Sequence, residues 1–478
     1  MTYSTNFFNN FIVLLLVICT WSLSGCSGLN FSKPQIVSLQ VAKISPQPAH
    51  SGEIVWQTFV LGGTAPLTYE YSLRIDQQER VVQSGQDSIW NWKPRNSGKF
   101  HIRVRVKDAK GYISTGEWVD FKIDPAINNT HLIAFFPLEN LSGAKAPLSK
   151  ISLNYKELLQ VDGLKLLTDE RLENFMFRHR VRYTGGIGSE LAHALREEEG
   201  VEAVFITSLE SYDESVSPKI ALTSRLVLCR DFPEIVWIEG VGITGEDTPG
   251  LLGVKRIQQM ENLQKKALDK LTYSLQNALA GNSDTVSKSS NKIKPRDFYL
   301  ATGFATEKHY RIAVVPFLNR YTRRNAGFVV PLHFINRLSR YENLQIVEPG
   351  LVREQLLKYR LIMQAGPSLA VADVLASESS LAADLILSGY VFDYQDQFGT
   401  PKIDFSTRLF SGSEREVVWW SRSYASGDDG VYFFDVGRYQ SAHIMLQEMT
   451  QAISELLFKH KKFRPEVSEF EYIDSLQP

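Results

Sequence analysis

The residues best suited to nucleophilic or metal chemistry in this 478-residue chain are three cysteines, Cys19, Cys26 and Cys229, and nine histidines. The histidines are scattered, and no H-E-x-x-H, G-x-S-x-G or Walker A pattern occurs. Asp428-Asp429-Gly430 lacks the alternating oxygen ligands of a calcium loop. His179 and His193 fall on or beside predicted helices and read as solvated imidazoles, not a metal pair. Gly185-Gly186-Ile187-Gly188-Ser189 has the glycine content of a phosphate cradle, but a glycine turn with Ser189 as helix N-cap and Glu190 in the first turn accounts for it. Cys229 sits in the apolar stretch Leu226–Cys229 and reads as a small buried hydrophobe. These residues predict no catalytic, cofactor-binding or metal-ligating set. Two groups could instead meet a partner. Arg320, Arg323 and Arg324 form a basic cluster, read as a solvated helix start or a surface for anionic headgroups or a protein. Trp90 and Trp92, with Tyr69, read as plugs of a β-sandwich or as a sugar platform. With a net charge of −1 there is no basic field for nucleic acid.

The elements around these residues begin with a short apolar run. Phe11–Val17 continues through Ile18, Cys19 and Trp21, the length of a signal-peptide core and short of the ~20 apolar residues a transmembrane helix needs. Met1–Asn10 carries no Lys or Arg. Leu23-Ser24-Gly25-Cys26 follows and resembles the lipobox of bacterial lipoproteins. The resemblance implies cleavage before Cys26 and diacylglycerol on its thiol, with Ser27 in the pattern associated with the outer membrane. The expected cofactor is therefore none beyond that covalent lipid. With Cys19 removed and Cys26 lipidated, Cys229 has no disulfide partner.

Residues 35–124, after a tether at 26–34, read as all-β. Ile54–Val60, Leu67–Ile75 and Phe100–Val106 are rich in β-formers and separated by the turns Gly62-Gly63, Asn96-Ser97-Gly98 and Lys110-Gly111. Ile102, Val104 and Val106 line one face of a period-2 strand. Gly63–Tyr69, Trp90–Pro94 and Val106-Lys107-Asp108 resemble bacterial Ig-like domains of the polycystic-kidney and triple-tyrosine type, which implies a sandwich serving as spacer or docking module.

Beyond residue 130 the chain repeats itself. Ile133–Asn140 matches Ile312–Asn319, Leu164–Leu167 matches Leu344–Val347, Val204–Ser208 matches Leu385–Gly389, and Val236-Trp237 matches Val418-Trp419. The offset grows only from 179 (133 to 312) to 183 (218 to 401), a period that reads as duplication of a whole domain. Each copy alternates strands with helices and ends in a long helix, plainest in Ile257–Leu279, where Leu263, Ala267, Leu271 and Leu275 recur every four residues. Tyr439–Leu457 is its counterpart, and each copy carries a tryptophan read as core, Trp237 or Trp419. This order of motifs resembles the TolB N-terminal-like domain, a fold shared with curli-secretion channel lipoproteins and with lipoproteins that activate peptidoglycan synthases.

The expected architecture is multidomain. A signal peptide (1–25) and tether precede an all-β Ig-like sandwich (35–124), then two duplicated α/β TolB-N-like domains of mixed sheet plus helices (130–280 and 308–460), a linker (281–307) and a tail (461–478). The resemblances imply a lipid-anchored, non-catalytic scaffold or secretion-apparatus subunit at the outer membrane, facing the periplasm. Its expected partners are the membrane, other envelope proteins or copies of itself. A curli-type channel or collar is one alternative. However, the connections Glu210–Lys219 and Asp393–Lys402 are short and polar and offer no bilayer-crossing hairpin. A glycan- or ligand-binding lipoprotein using the Ig-like aromatics is the other.

Overall fold

The computed structural model describes residues 33–458, apart from 76–77, 216, 247–256, 282–292, 307, 363–365, 367, 397–399 and 430–437. The expected signal peptide, Cys26, residues 282–292 and 307 of the expected linker and the C-terminal tail lie outside the described residues. Among the described residues, no helix is long and apolar enough to cross a membrane. The described residues divide into two compact units, one of 33–94 and 98–124 and one of 95–97 and 125–458.

The first unit is a sandwich of two sheets. β1 (Gln35–Val41), β3 (Ile54–Leu61) and β6 (Ile89–Trp92) form one sheet in the order β1-β3-β6. β2 (Gln47–Pro48), β4 (Thr68–Ile75), β5 (Gln78–Gly85), β7 (Gly98–Lys107), β8 (Ile113–Thr115) and β9 (Val119–Asp124) form the other, with β7 at its centre. The alternation along β7 buries Phe100, Ile102, Val104 and Val106 against the opposite sheet. Trp90 and Trp92 stack at 5.6 Å between centroids and meet Trp56, Phe100 and Phe121. They are 6% and 8% exposed, so the sugar-platform expectation is corrected: both rings are core, because β6 turns its even positions inward.

The second unit holds two lobes with a shared pairing pattern. The first has β10 (Leu132–Phe135), β11 (Glu139–Asn140), β12 (Lys165–Leu166), β13 (Val201–Asp213), β14 (Lys219–Leu228) and β15 (Glu234–Thr244), in the order β12-β10-β13-β14-β15. Its helices are α1 (Leu148–Val161), α2 (Asp169–Arg178), α3 (Ser189–Glu199) and α4 (Met260–Leu279). The second lobe has β16 (Asp297–Leu300), β17 (Tyr310–Val314), β18 (Leu318–Asn319), β19 (Leu344–Ile346), β20 (Leu385–Gln395), β21 (Lys402–Ser411) and β22 (Val417–Ser426), in the order β16-β22-β21-β20-β17-β19. Its helices are α5 (Ala326–Leu338), α6 (Pro349–Lys358), α7 (Leu369–Ala376) and α8 (Ala442–Phe458).

In both lobes parallel pairing brings the first buried strand beside the long central one, and two antiparallel strands follow. Ile133 pairs with Ala203 where Ile312 pairs with Leu385. Arg180 and Arg360, at the ends of matching helical stretches, both take left-handed backbone angles, φ 52° and 59°. The strand connections are shorter than the sequence suggested, because β13 runs on to Asp213 and β20 to Gln395. Each sheet is covered by its long helix on one face, through Leu263, Ala267 and Leu271 of α4 or Met445, Met449 and Ile453 of α8. Shorter helices cover part of the other face. Trp237 and Trp419 are core as expected; their indole N–H groups donate to Ser274 and Thr407, at 3.2 and 2.9 Å.

Candidate functional site at the junction of the two lobes

Period-2 burial leaves one row of β13–β15 facing away from α4: Ser208 and Glu210 on β13, Thr223 and Arg225 on β14, and Ile238, Gly240 and Gly242 on β15. In this lobe the row is covered by the second lobe. Gln447 of α8 donates to the Gly240 carbonyl at 2.8 Å, and Ile238 joins the core of the second lobe. The approach requires glycine. A Cβ on Gly242 would lie 2.6 Å from the His443 ring, and one on Gly186 would lie 2.6 Å from the backbone nitrogen of Gly350.

Three charged arrangements fill the junction. Arg225, fully buried, donates from Nε and Nη2 to the two carboxylate oxygens of Glu348, each at 3.0 Å, and from Nη2 also to the Gly185 carbonyl. This bidentate pair crosses the two lobes with neither side chain reaching solvent. Beside it, the backbone nitrogen of Ser189 donates to Glu354 at 2.7 Å and that of Ile187 to Glu348 at 3.4 Å. The glycine turn thus meets carboxylates of this same chain, which occupy the donors a phosphate would have used. Gly188, not Ser189, is the N-cap of α3, a correction to the expected capping.

The third arrangement was not foreseen from sequence. Glu210 Oε2 lies 2.9 Å from His333 Nε2 and 2.7 Å from His443 Nδ1, and Thr223 donates its hydroxyl proton to Oε1. His333 comes from α5 and His443 from α8, with rings 4.4 Å apart, and the three residues are 1–2% exposed. Burial works against ionisation of Glu210, but the two imidazoles outweigh it and hold the carboxyl well below its ordinary value. Burial lowers the pKa of His333, which favours the neutral ring. Residues 210, 333 and 443 are too far apart for sequence spacing to unite them; only the packing of one lobe on the other does so.

A small cleft of about 240 Å³ opens nearby, lined by apolar groups such as Pro331, Leu332 and Val352, with Glu139, Tyr183 and Arg353 among its walls. Its volume is below the ~300–1,000 Å³ of most ligand pockets. Burial raises the Glu139 pKa, against the hydrogen bond from Ser208 at 2.7 Å.

No protein-family model matches the chain, and no curated protein matches it either. Among solved structures, it is similar to the PelC dodecamer of Paraburkholderia phytofirmans. The two share 16% identity over 34% of this chain and 97% of that one, with a TM-score of 0.23. Lipoprotein GNA1162 of Neisseria meningitidis shares 16% identity over 30% of this chain and 98% of that one, with a TM-score of 0.23. The LpoB C-terminal domain of Escherichia coli shares 15% identity over 24% of this chain and 82% of that one, with a TM-score of 0.20.

The expected site residues are dispersed. Arg320 and Arg324 are exposed, Arg320 lying 4.5 Å over the Tyr390 ring. Arg323 departs from the expected basic surface. It turns inward, donates to the Glu210 carbonyl at 2.6 Å and stacks 4.0 Å over Tyr394, because the chain reverses there on to the first lobe. His179 binds Glu198 at 2.7 Å while His193 lies 3.7 Å from Asp231, in separate pairs. Cys229 is fully buried, and burial pushes its thiol well above the ordinary value, as an inert hydrophobe requires.

Proposed function

We propose that this chain is a lipid-tethered, non-catalytic envelope adaptor whose two α/β lobes are a fused TolB-N-like duplication, acting through protein–protein contacts. The lipobox at Leu23–Cys26 supports the tether. The observation that carries the adaptor reading is the contrast between equivalent faces of the two lobes.

By strand register, Ser208 corresponds to Tyr390, since each pairs with the short strand before it, at Glu139 or Leu318, and with the strand after it, at Thr223 or Ser406. By the same register Ile238, Gly240 and Gly242 correspond to Trp420, Arg422 and Tyr424. The first lobe's row is smooth and is covered by α5 and α8. The second lobe's row carries Tyr390, Phe392, Arg408, Trp420, Arg422 and Tyr424, all partly exposed. Arg422 lies 3.6 Å over Phe392 and pairs with Asp404 at 2.7 Å. Partly exposed aromatics and arginines are the composition of interface hot spots.

The lobes therefore meet head to tail, through different surfaces. Such contacts would propagate into rings or filaments if both ends stayed open. The bulky second row has no room for another α5–α8 layer seated as in the first lobe, so this contact ends after two lobes. This weighs for an adaptor and against a collar built by repeating it.

Native mass of the full lipidated protein in mild detergent tests the reading. A monomer or dimer is expected, and a closed ring of many protomers would overturn it.

A further inference from the structure

We propose that Glu210, His333 and His443 form a structural site for a zinc-class divalent cation that ties the two lobes together. Two imidazoles and a carboxylate are a zinc ligand set. Each comes from a different element, β13, α5 and α8, and their three ligand atoms lie within 4.8 Å of one another. All three are buried, as suits a structural ion better than a catalytic one exchanging substrate.

The charge balance points the same way. Glu210 is an anion without solvent, and its carboxylate oxygens meet two imidazoles and a hydroxyl. The Arg323 guanidinium donates to the backbone carbonyl of Glu210 and lies over the Tyr394 ring, with no hydrogen bond to the Glu210 carboxylate. Buried charges are paired or coordinate metals. A divalent cation would supply a counter-charge to the Glu210 carboxylate, and coordination leaves each ring one N–H on its other nitrogen.

That second nitrogen already has a neighbour in one case: Gln447 Nε2 is 3.0 Å from His443 Nε2. Coordination through Nδ1 leaves an N–H at that nitrogen, and Gln447, which also donates to the Gly240 carbonyl at 2.8 Å, must shift its amide to accept it. Thr223 holds the distal carboxylate oxygen, which leaves Oε2 aimed at both rings. A tetrahedral ion at ~2.0–2.1 Å from each ligand needs ligand atoms about 3.4 Å apart. The present 2.7 and 2.9 Å therefore open by roughly half an ångström or slightly more. A fourth ligand would be a water.

The test uses the full chain, stripped with a chelator and returned to metal-free buffer. Zinc titration is expected to show uptake of about one ion per chain and a rise in Tm of several degrees. A folded wild-type chain that takes up no zinc overturns the proposal. His443→Gln with unchanged far-UV circular dichroism is expected to lose uptake at least tenfold, and undiminished binding by that folded variant also overturns it. Should His443→Gln not fold, cobalt substitution of the wild type decides. Intense visible bands of a four-coordinate ion support the site, and the weak bands of a six-coordinate ion refute it.

Discussion

At the scale of single residues, the strongest expectations concern groups sealed in the lobe junction. Glu348→Gln leaves Arg225 buried without its counter-charge, and such a loss costs about 3–5 kcal/mol. Urea denaturation followed by tryptophan fluorescence is expected to show a shift of that size in the α/β unit, whereas a change below about 1 kcal/mol would mean the pair is dispensable. Glu139 provides a pH-dependent comparison. Burial raises its folded pKa above the ordinary 4.5, so the folded state holds the proton longer than the unfolded one. The associated stability is full below the unfolded value and is lost as pH rises through the folded one. Glu139→Gln is expected to remove that loss. Relative to wild type the variant gains stability as pH climbs above 4.5, and parallel pH–stability curves for the two proteins would refute the assignment. Legibility from sequence was uneven at this scale. Cys229, Trp237 and Trp419 could be read as core because a hydrophobic run or strand motif surrounds them. Glu210, His333 and His443 carry no local signature, since each is an isolated polar residue in an element whose period is set by its apolar neighbours.

At the scale of elements, periodicity gave the long helices and the amphipathic strands, because burial on one face imposes it on the sequence. Ile257–Leu279 was expected as a helix and α4 spans Met260–Leu279. The inward turn of Trp90 and Trp92 was harder to read. A four-residue strand with tryptophan at alternate positions presents the same pattern whether that face meets the opposite sheet or solvent. Trp92→Ala is expected to cost the sandwich about 3–5 kcal/mol, as for other aromatic truncations in cores, read as a lower urea midpoint for that unit. A loss under about 1 kcal/mol would restore the surface reading. Gly242 is equally opaque in sequence, since nothing nearby announces that a helix from the other lobe passes over it. Gly242→Ala is expected to destabilise the lobe junction by about 1–3 kcal/mol, because the His443 ring must shift. The same change at Gly200, where the added carbon meets nothing within 4 Å, should leave the junction unaffected and report only backbone strain at φ 69°. Limited proteolysis of the two variants would separate these effects.

At the scale of the whole molecule, order along the chain was legible and the contact between lobes was not. Repeated motifs announce two similar folds, but the surfaces they share depend on positions where the repeats differ, such as Gly240 against Arg422. Membrane attachment rests on Cys26 alone in this reading. Cys26→Ala is expected to leave both folded units intact and to move the protein into the soluble fraction. Continued sedimentation with membranes at high salt would show another means of attachment.

The buried pair across the lobes also sets a timetable for synthesis. Arg225 and Glu348 are separated by 123 positions. At ~5–20 residues per second, the first lobe's arginine is made roughly 6–25 s before the carboxylate that neutralises it. In an exported chain the first lobe likewise emerges ahead of the second, and until Glu348 follows it has a guanidinium it can neither bury cheaply nor pair, and a bare glycine-lined sheet face. The nascent chain thus has a defined window of vulnerability, and the second lobe acts on the first as a chaperone that arrives late and stays.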